Sequence, residues 1–249
     1  MTTRQSTPPL SNTVPPWTPL YLHRRALAQY IGNNAPRILE EASTRLGARR
    51  LSILDVGCGQ MPYRPVLATS EHCELYSGAD VSPAPGVIQI DPDSQASDAP
   101  GGAYDVVVHF QVLEHVPDTN RFLAECMRVL RPGGLMFCTV PFLFEYHGVP
   151  GDYYRWTAQG FERLLSSFGL TDIHLEAVES DWQSALGNMQ LVLARRFGYI
   201  WTKPLFLSLN LLGALQLGPR IGLSPMTYAA VGYKTSSLGS ANNASFHNE

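Results

Sequence analysis

The sequence predicts an α/β fold: a Rossmann-like sheet of seven mostly parallel strands, with helices on both faces and a helical insertion before the last strand. Three observations carry this reading. Ile53-Leu54-Asp55-Val56-Gly57-Cys58-Gly59 is a short apolar run that closes on a Gly-x-Gly turn, the pattern of a strand feeding a helix. Further apolar runs of strand length follow at 76–80, 87–91 and 104–110, with helix-like stretches or turn residues between them. With 249 residues and 45% hydrophobic content the chain can bury one good core, so one domain with an insertion fits better than two.

Taken in order, residues 1–19 are rich in Thr, Ser and Pro without apolar periodicity, which predicts a disordered start with no signal-peptide core. Residues 20–46 carry apolar side chains at helical spacing (Leu27, Tyr30, Ile31, then Ile38, Leu39, Ala42). The break at Gly32-Asn33-Asn34 predicts two helices there. Strand one ends at the glycine turn, strand two at Asp80, strand three at Asp91 and strand four at Phe110; the link 81–86 is too compressed for the usual helix. Residues 111–116 lead into a helix, and Arg131-Pro132-Gly133-Gly134 is a turn before strand five at 133–140. Thr157 reads as the N-cap of a helix through Leu165. Strand six falls near 172–177, the insertion spans about 180–225, strand seven is 227–234, and the Ser/Asn-rich tail 236–249 is predicted loose. The folded domain is thus 20–235.

The chemistry is concentrated at the first turn. A glycine turn at a helix start presents backbone N–H groups to an anion, and glycine lets the main chain approach the ligand. A dinucleotide site wants a third glycine three places after the second, where Pro62 stands. Asp55, two places ahead of Gly57, would repel a pyrophosphate and attract the amino group and sulfonium of S-adenosylmethionine. Asp80, a little over twenty residues beyond Gly57, sits about where a ribose-binding carboxylate belongs.

With these strands in order, the chain resembles the class I S-adenosylmethionine-dependent methyltransferases, in particular the bacterial group with "LDVGCG", "DVV…QVLEHV" and "VLRPGG" blocks, over about residues 51–170. The resemblance implies that Asp55, Gly57, Cys58 and Gly59 hold the methionine end of the cofactor. It further implies Asp80 and Val81 at the ribose, Asp91 near the adenine, and Phe110 and Gln111 beside the methyl-donor pocket. Two departures stand out: Met61 occupies the place of the family's next glycine, and the helix after strand two is compressed.

Residues 141–157 form the densest collection of aromatic, acidic and imidazole groups in the chain. A loop at the carboxyl end of the strands is where an α/β sheet puts its ligands. The segment resembles the "PF…EYH…DYYR" block of the same group, which implies a substrate wall made of Tyr146, Asp152, Tyr153, Tyr154 and Arg155. The alternative is that the aromatics cap the core while Asp152 and Arg155 pair to fix a turn. His147 is the first choice as general base, since imidazole titrates near neutrality, and His115 the second; His109 lies in an apolar strand and reads as core.

The net charge of -3 disfavours a nucleic-acid substrate, and Phe110-Gln111-Val112-Leu113 lacks the Asn/Asp-Pro-Pro-aromatic block of DNA amino-methylation. Cys58, Cys73, Cys126 and Cys138 show no metal-ligand spacing and read as reduced, buried thiols of a cytoplasmic protein, Cys58 as a small filler. No metal is expected; a metal-dependent route would need Glu114, His115 and Asp152 as its ligands. In the insertion, residues 205–215 are apolar nearly all round but too short to span a bilayer. They could form a lid over the acceptor, a homodimer contact or a peripheral membrane contact. The leading function is methylation of a small-molecule acceptor, apolar or lipid-linked, on oxygen, in secondary metabolism or glycan or lipid modification. N- or C-methylation and a non-catalytic cofactor-binding interaction protein are the alternatives.

Overall fold

The computed structural model describes residues 14–47, 49–148, 150–215 and 222–236. A single sheet of seven strands forms its centre, in the order β3-β2-β1-β4-β5-β7-β6. The strands are β1 (Leu51–Val56), β2 (Cys73–Asp80), β3 (Val87–Gln89), β4 (Tyr104–Phe110), β5 (Leu130–Pro141), β6 (Leu170–Ala177) and β7 (Thr227–Lys234). All neighbours run parallel except β7, which is antiparallel to both β5 and β6. The central strand β4 is buried at every position, as a parallel strand covered on both faces must be.

The helices are α1 (Tyr21–Arg45), the short α2 (Arg64–Leu67), α3 (Thr119–Val129), α4 (Ala158–Ser167), α5 (Asp181–Phe197) and α6 (Tyr199–Ala214). On one face α1 and α2 bury Leu27, Ile31, Ile38 and Leu67 against Ile53, Val106 and Phe137. On the other, α3 and α4 bury Phe122, Leu123, Phe161 and Leu165 against Leu54, Val107 and Met136. His109 is fully buried there, edge-on to Phe122 with centroids 5.3 Å apart, and burial holds its imidazole down to about 3. It is core, as its strand position predicts.

Two expectations are corrected. The region 20–46 is one helix and not two: Pro36 lies inside α1, and the buried stripe from Leu22 to Ala42 runs through Gly32 without interruption. Tertiary burial of a continuous stripe outweighs the local breaking tendency of Gly and Pro. Arg131–Gly134 is an irregularity within β5, where the pairing with β4 shifts, and not a turn ahead of it. Of the segment expected to be disordered, residues 14–19 are described, and the carbonyls of Pro16 and Thr18 accept from Asn210 Nδ2 at 2.6 and 3.0 Å; the expectations for residues 1–13 and 237–249 lie outside the described residues.

Thr157 caps α4, its Oγ1 accepting from Gly160 N at 3.1 Å. Residues 181–214 of the insertion form α5 and α6, joined at Gly198, and α6 packs on α5 and α1. It buries Thr202, Phe206, Asn210 and Gly213 as a single stripe. None of the described residues of α5 and α6 lines either cavity of the candidate site. Among the described residues, no helix is long and apolar enough to cross a membrane.

Candidate functional site

A cleft of about 500 Å³ opens at the carboxyl ends of β1, β2 and β4. The size suits a small ligand or cofactor. The strand order reverses direction between β1 and β4, which is where an open α/β sheet leaves a crevice. Gly57, Gly59, Asp80, Val81 and Gln111, all expected at the site, line it.

The backbone at the first turn is shaped for close approach. Gly57 has φ +70°, and a Cβ there would stand 2.6 Å from Val112 Cγ2, so only glycine fits. Met61, in the place of the resembled family's glycine, adopts φ +54° all the same. Its side chain and that of Cys58 lie over Gly78 of β2, where a Cβ would meet Met61 Cε at 2.6 Å and Cys58 Sγ at 2.7 Å. Cys58 is a filler under the turn, and burial pushes its thiol up to about 12, which keeps it unreactive.

Asp80 reaches into the cleft from the end of β2 and also holds the turn, accepting from Gly59 N at 2.9 Å and Ser82 N at 2.8 Å. Asp55 stands behind the turn. It is buried and accepts from the Tyr76 hydroxyl at 2.5 Å; burial first, and the Asp80 charge, raise its carboxyl to about 7 against the opposing hydrogen bond. Neither Asp55 nor Cys58 lines the cleft.

Asp91 and Phe110 also lie outside the lining, for different reasons. Asp91 Oδ1 accepts from Ser94 N at 2.7 Å and Asp93 N at 3.0 Å, and these bonds hold its carboxyl below the usual range. It folds the turn whose Ile90, Pro92 and Gln95 face the cleft. Phe110 points to the α1 face, packed edge-on to Tyr63 and Phe137.

Sequence reasoning missed Val116 and Phe122, which with Val112, a neighbour of Gln111, make an apolar wall. Its signal lies in the Gln111–Val116 block, but which of those side chains turn inward depends on the non-helical geometry there. Gln111 takes φ +56°, held by its N–H on Thr139 O at 3.1 Å. A single 3-10 turn, Leu113–His115, follows. Strain of this kind at a strand end is common where a chain is shaped for a ligand.

A second cavity of about 250 Å³ is lined by Phe144, Tyr146, Asp152, Tyr153, Tyr154 and Arg155. All five residues expected at the acceptor wall are there, and Tyr153 lines both cavities. Arg155 grips Asp152 with both guanidinium nitrogens, Nη2 to Oδ2 at 2.7 Å. That contact, first among several, holds the Asp152 carboxyl down to about 2. Asp152 also accepts from His147 N at 3.0 Å, so the pair fixes the loop while its outer edge borders the pocket.

The candidate bases sit side by side, His115 and His147 edge to face with centroids 4.9 Å apart. His115 lines the cleft and His147 stands one ring behind it. Nδ1 of His115 lies against the Gly151 carbonyl, which fixes the proton there and leaves Nε2 as the acceptor nitrogen. That nitrogen is 3.7 Å from Glu114 Oε1. Glu114 has no exposed surface, and neither carboxylate oxygen has a hydrogen-bond partner; burial pushes its carboxyl up to about 8.

Among the described residues, Glu114, His115 and His147 bring one ligand atom each to within 4.8 Å of one another, a set that could hold a cation. Asp152, the third ligand expected from sequence, is taken by Arg155, and His147 stands in its place.

Comparison with known proteins bears on this geometry. The sequence profile of a methyltransferase domain matches residues 21–183. A ubiquinone biosynthesis O-methyltransferase of Maricaulis maris is 30% identical over 100 residues, 35% of this chain and 39% of that protein. A phthiotriol/phenolphthiotriol dimycocerosates methyltransferase of Mycobacterium leprae is 30% identical over 108 residues, 39% of this chain and 40% of that one. The chain thus spans about two-fifths of the length of these relatives. The CurJ carbon methyltransferase structure superposes with a TM-score of 0.55 at 15% identity, over 86% of this chain and 58% of that one, a likeness of fold.

Proposed function

Since the chain belongs to the methyltransferase-domain family, we propose that it transfers a methyl group from S-adenosylmethionine to a hydroxyl of a small, largely apolar acceptor. One observation carries the reading: the cleft holding the glycine turn and Asp80 adjoins a separate aromatic pocket, Tyr153 lining both. That is the arrangement a two-substrate transfer requires. The residues fit the cofactor. Turn amides and a carboxylate lie at one end of the cleft, and Val112, Val116 and Phe122 form an apolar wall.

When bound, S-adenosylmethionine supplies an activated methyl group. The protein's own part is mostly alignment of acceptor and donor, the larger contribution in a displacement of this type. The Asp152–Arg155 clamp fixes the aromatic wall, and His115 Nε2 takes the proton that the acceptor hydroxyl loses. This reverses the order of bases expected from sequence, because His115 and not His147 lines the cleft. The O-methyltransferase relative from Maricaulis maris supports oxygen as the acceptor atom, and the named functions of both relatives support an acceptor in quinone or lipid metabolism. Four free, buried cysteines support a cytoplasmic setting.

Calorimetry with S-adenosylmethionine and its demethylated product, together with a mass-shift screen of phenolic and lipid-linked hydroxyl acceptors, tests the proposal. Preference for NAD sinks it. His115→Ala should lower turnover roughly 10²–10⁴-fold with cofactor affinity nearly unchanged; if His147→Ala does so and His115→Ala does not, the base is His147. A second reading is favoured by Glu114, without a hydrogen-bond partner, beside two imidazoles. In that reading Glu114, His115 and His147 would hold a divalent cation, which would supply Lewis-acid polarisation of the acceptor hydroxyl. Loss of turnover to a chelator, restored by added metal, selects it.

A further inference from the structure

The hairpin of α5 and α6 is finished on its inner side. Phe206 has no exposed surface, Gln190 Nε2 donates to Asn210 Oδ1 at 2.9 Å, and Gly213 lies so close to Leu22 and Leu186 that a Cβ would meet Leu22 Cδ1 at 2.6 Å. The outer side is another matter. At the elbow between the helices Phe197 is 58%, Ile200 73% and Trp201 85% exposed, and along α6 Leu205, Leu211, Leu212 and Leu215 remain open. On α5, Trp182, Met189 and Val192 share one exposed face that Arg196 continues. Contiguous apolar surface of this extent on a soluble domain marks an interaction site.

Charge decides what covers it. From Trp182 to Asn248 the sequence holds no Asp or Glu, while Arg195, Arg196 and Lys203 cluster at the elbow. An acid that reaches it from outside, Glu145, is paired with Arg195 at 2.9 Å. Arg196 and Lys203 lie over the rings of Phe197 and Tyr199, so each cation sits at the rim of an aromatic side chain. A second copy packed on this face would bring bases toward bases with no acid opposite. An anionic lipid surface meets the same feature with opposite charge. Tyr and Trp beside Lys and Arg, with leucines and isoleucine beyond, is the composition of a segment lying in the headgroup region.

We propose that the α5–α6 elbow is a membrane-docking surface that seats Phe197, Ile200 and Trp201 in the interface of an anionic phospholipid bilayer. Residues 184–215, which carry it, lie beyond the stretch that the family profile matches. Its position relative to the acceptor loop gives it a use. Arg195 holds Glu145, and Asn188 Nδ2 donates to Leu143 O at 3.0 Å, so α5 is pinned to the loop that carries Phe144 and Tyr146 of the acceptor pocket. Docking would present that pocket to a lipid-borne acceptor. This last step rests on the proposed function, whereas the docking itself does not.

The test is co-sedimentation of the full chain, without cofactor, with vesicles of phosphatidylcholine alone and of phosphatidylcholine mixed with phosphatidylglycerol. Binding should favour the anionic vesicles and fall with salt. The double substitution I200D/W201D should weaken it roughly tenfold or more, and R196Q/K203Q should weaken it for anionic vesicles only. Ile200, Trp201 and Arg196 are exposed and Lys203 half-buried, and binding of the demethylated cofactor product, unaltered by either double, reports that they fold. Absence of wild-type binding to anionic vesicles overturns the proposal, as does undiminished binding of I200D/W201D. A wild-type dimer that I200D/W201D turns into a monomer on a sizing column assigns the face to a second copy and overturns it too. A chain that binds vesicles but not S-adenosylmethionine would keep the docking surface and remove the enzyme reading.

Discussion

Glu114 is the residue whose environment contradicts its chemistry most plainly. A carboxylate with no exposed surface and no hydrogen-bond partner cannot be left charged without a large desolvation cost. Its proton is therefore held up to about 8, against an ordinary 4.5. The unfolded chain loses that proton above about 4.5, the folded chain only near 8, so the stabilising contribution is complete below pH 4.5 and is lost as pH rises through 8. Glu114→Gln keeps the shape without the titration. Its stability relative to the parent should rise between pH 5 and 8 by a few kcal/mol at most, measured by urea unfolding across that range. A pH-independent difference would mean that a cation or unmapped donor already satisfies the carboxylate, and added Mn²⁺ or Zn²⁺ should then separate the two proteins. Met61 shows a milder form of the same tension: a non-glycine residue at φ +54° keeps a turn shape that glycine would adopt at no cost, and its side chain packing on Gly78 is what it gains in exchange.

At the scale of elements, the acceptor loop behaves as one piece because of a single clamp. Asp152 is nearly buried and carries both nitrogens of Arg155 and the N–H of His147. Asp152→Asn removes the charge that makes this grip bidentate, leaving Arg155 short of its partner at a site where solvent screens poorly. The expected result is a severalfold rise in the acceptor's Michaelis constant with cofactor affinity unchanged, by steady-state kinetics against calorimetry; equal losses in both would place the clamp in the cofactor site. Asp152 and Arg155 are singled out in sequence through the resemblance of their loop to the "DYYR" block, with a turn-fixing pair as the alternative, and they do pair. The strands were readable from their apolar runs, and the glycine turn from its two glycines. What could not be read was inward direction. Phe110 and Gln111 are neighbours, yet only Gln111 lines the cleft, because the chain leaves β4 through a left-handed residue. Likewise the unity of α1 depends on a buried stripe that exists only once the sheet has formed.

For the molecule as a whole, the cleft gathers the β1 and β2 ends, the turn after β3, the segment after β4, the start of α3 and the acceptor loop. These pieces are far apart in sequence, so a ligand that fills the cleft ties the fold together across the sheet's switch point. A ligand that binds only the folded state at about a hundred times its dissociation constant adds about 2.7 kcal/mol. For a domain of this size that corresponds to a rise of roughly 5–10 °C in Tm. Asp80 should set much of it. Asp80→Asn preserves volume but not the charge-assisted acceptance expected at the ribose, and should weaken binding by about 1.5–3 kcal/mol, reducing the thermal shift at the same ligand concentration. Asp80 also supports Gly59 N and Ser82 N, so the ligand-free Tm of Asp80→Asn has to be read alongside. A lowered ligand-free Tm with an undiminished shift would make Asp80 a support of the glycine turn and take the ribose contact from it. An unaltered ligand-free Tm with a collapsed shift places its carboxylate on the ligand.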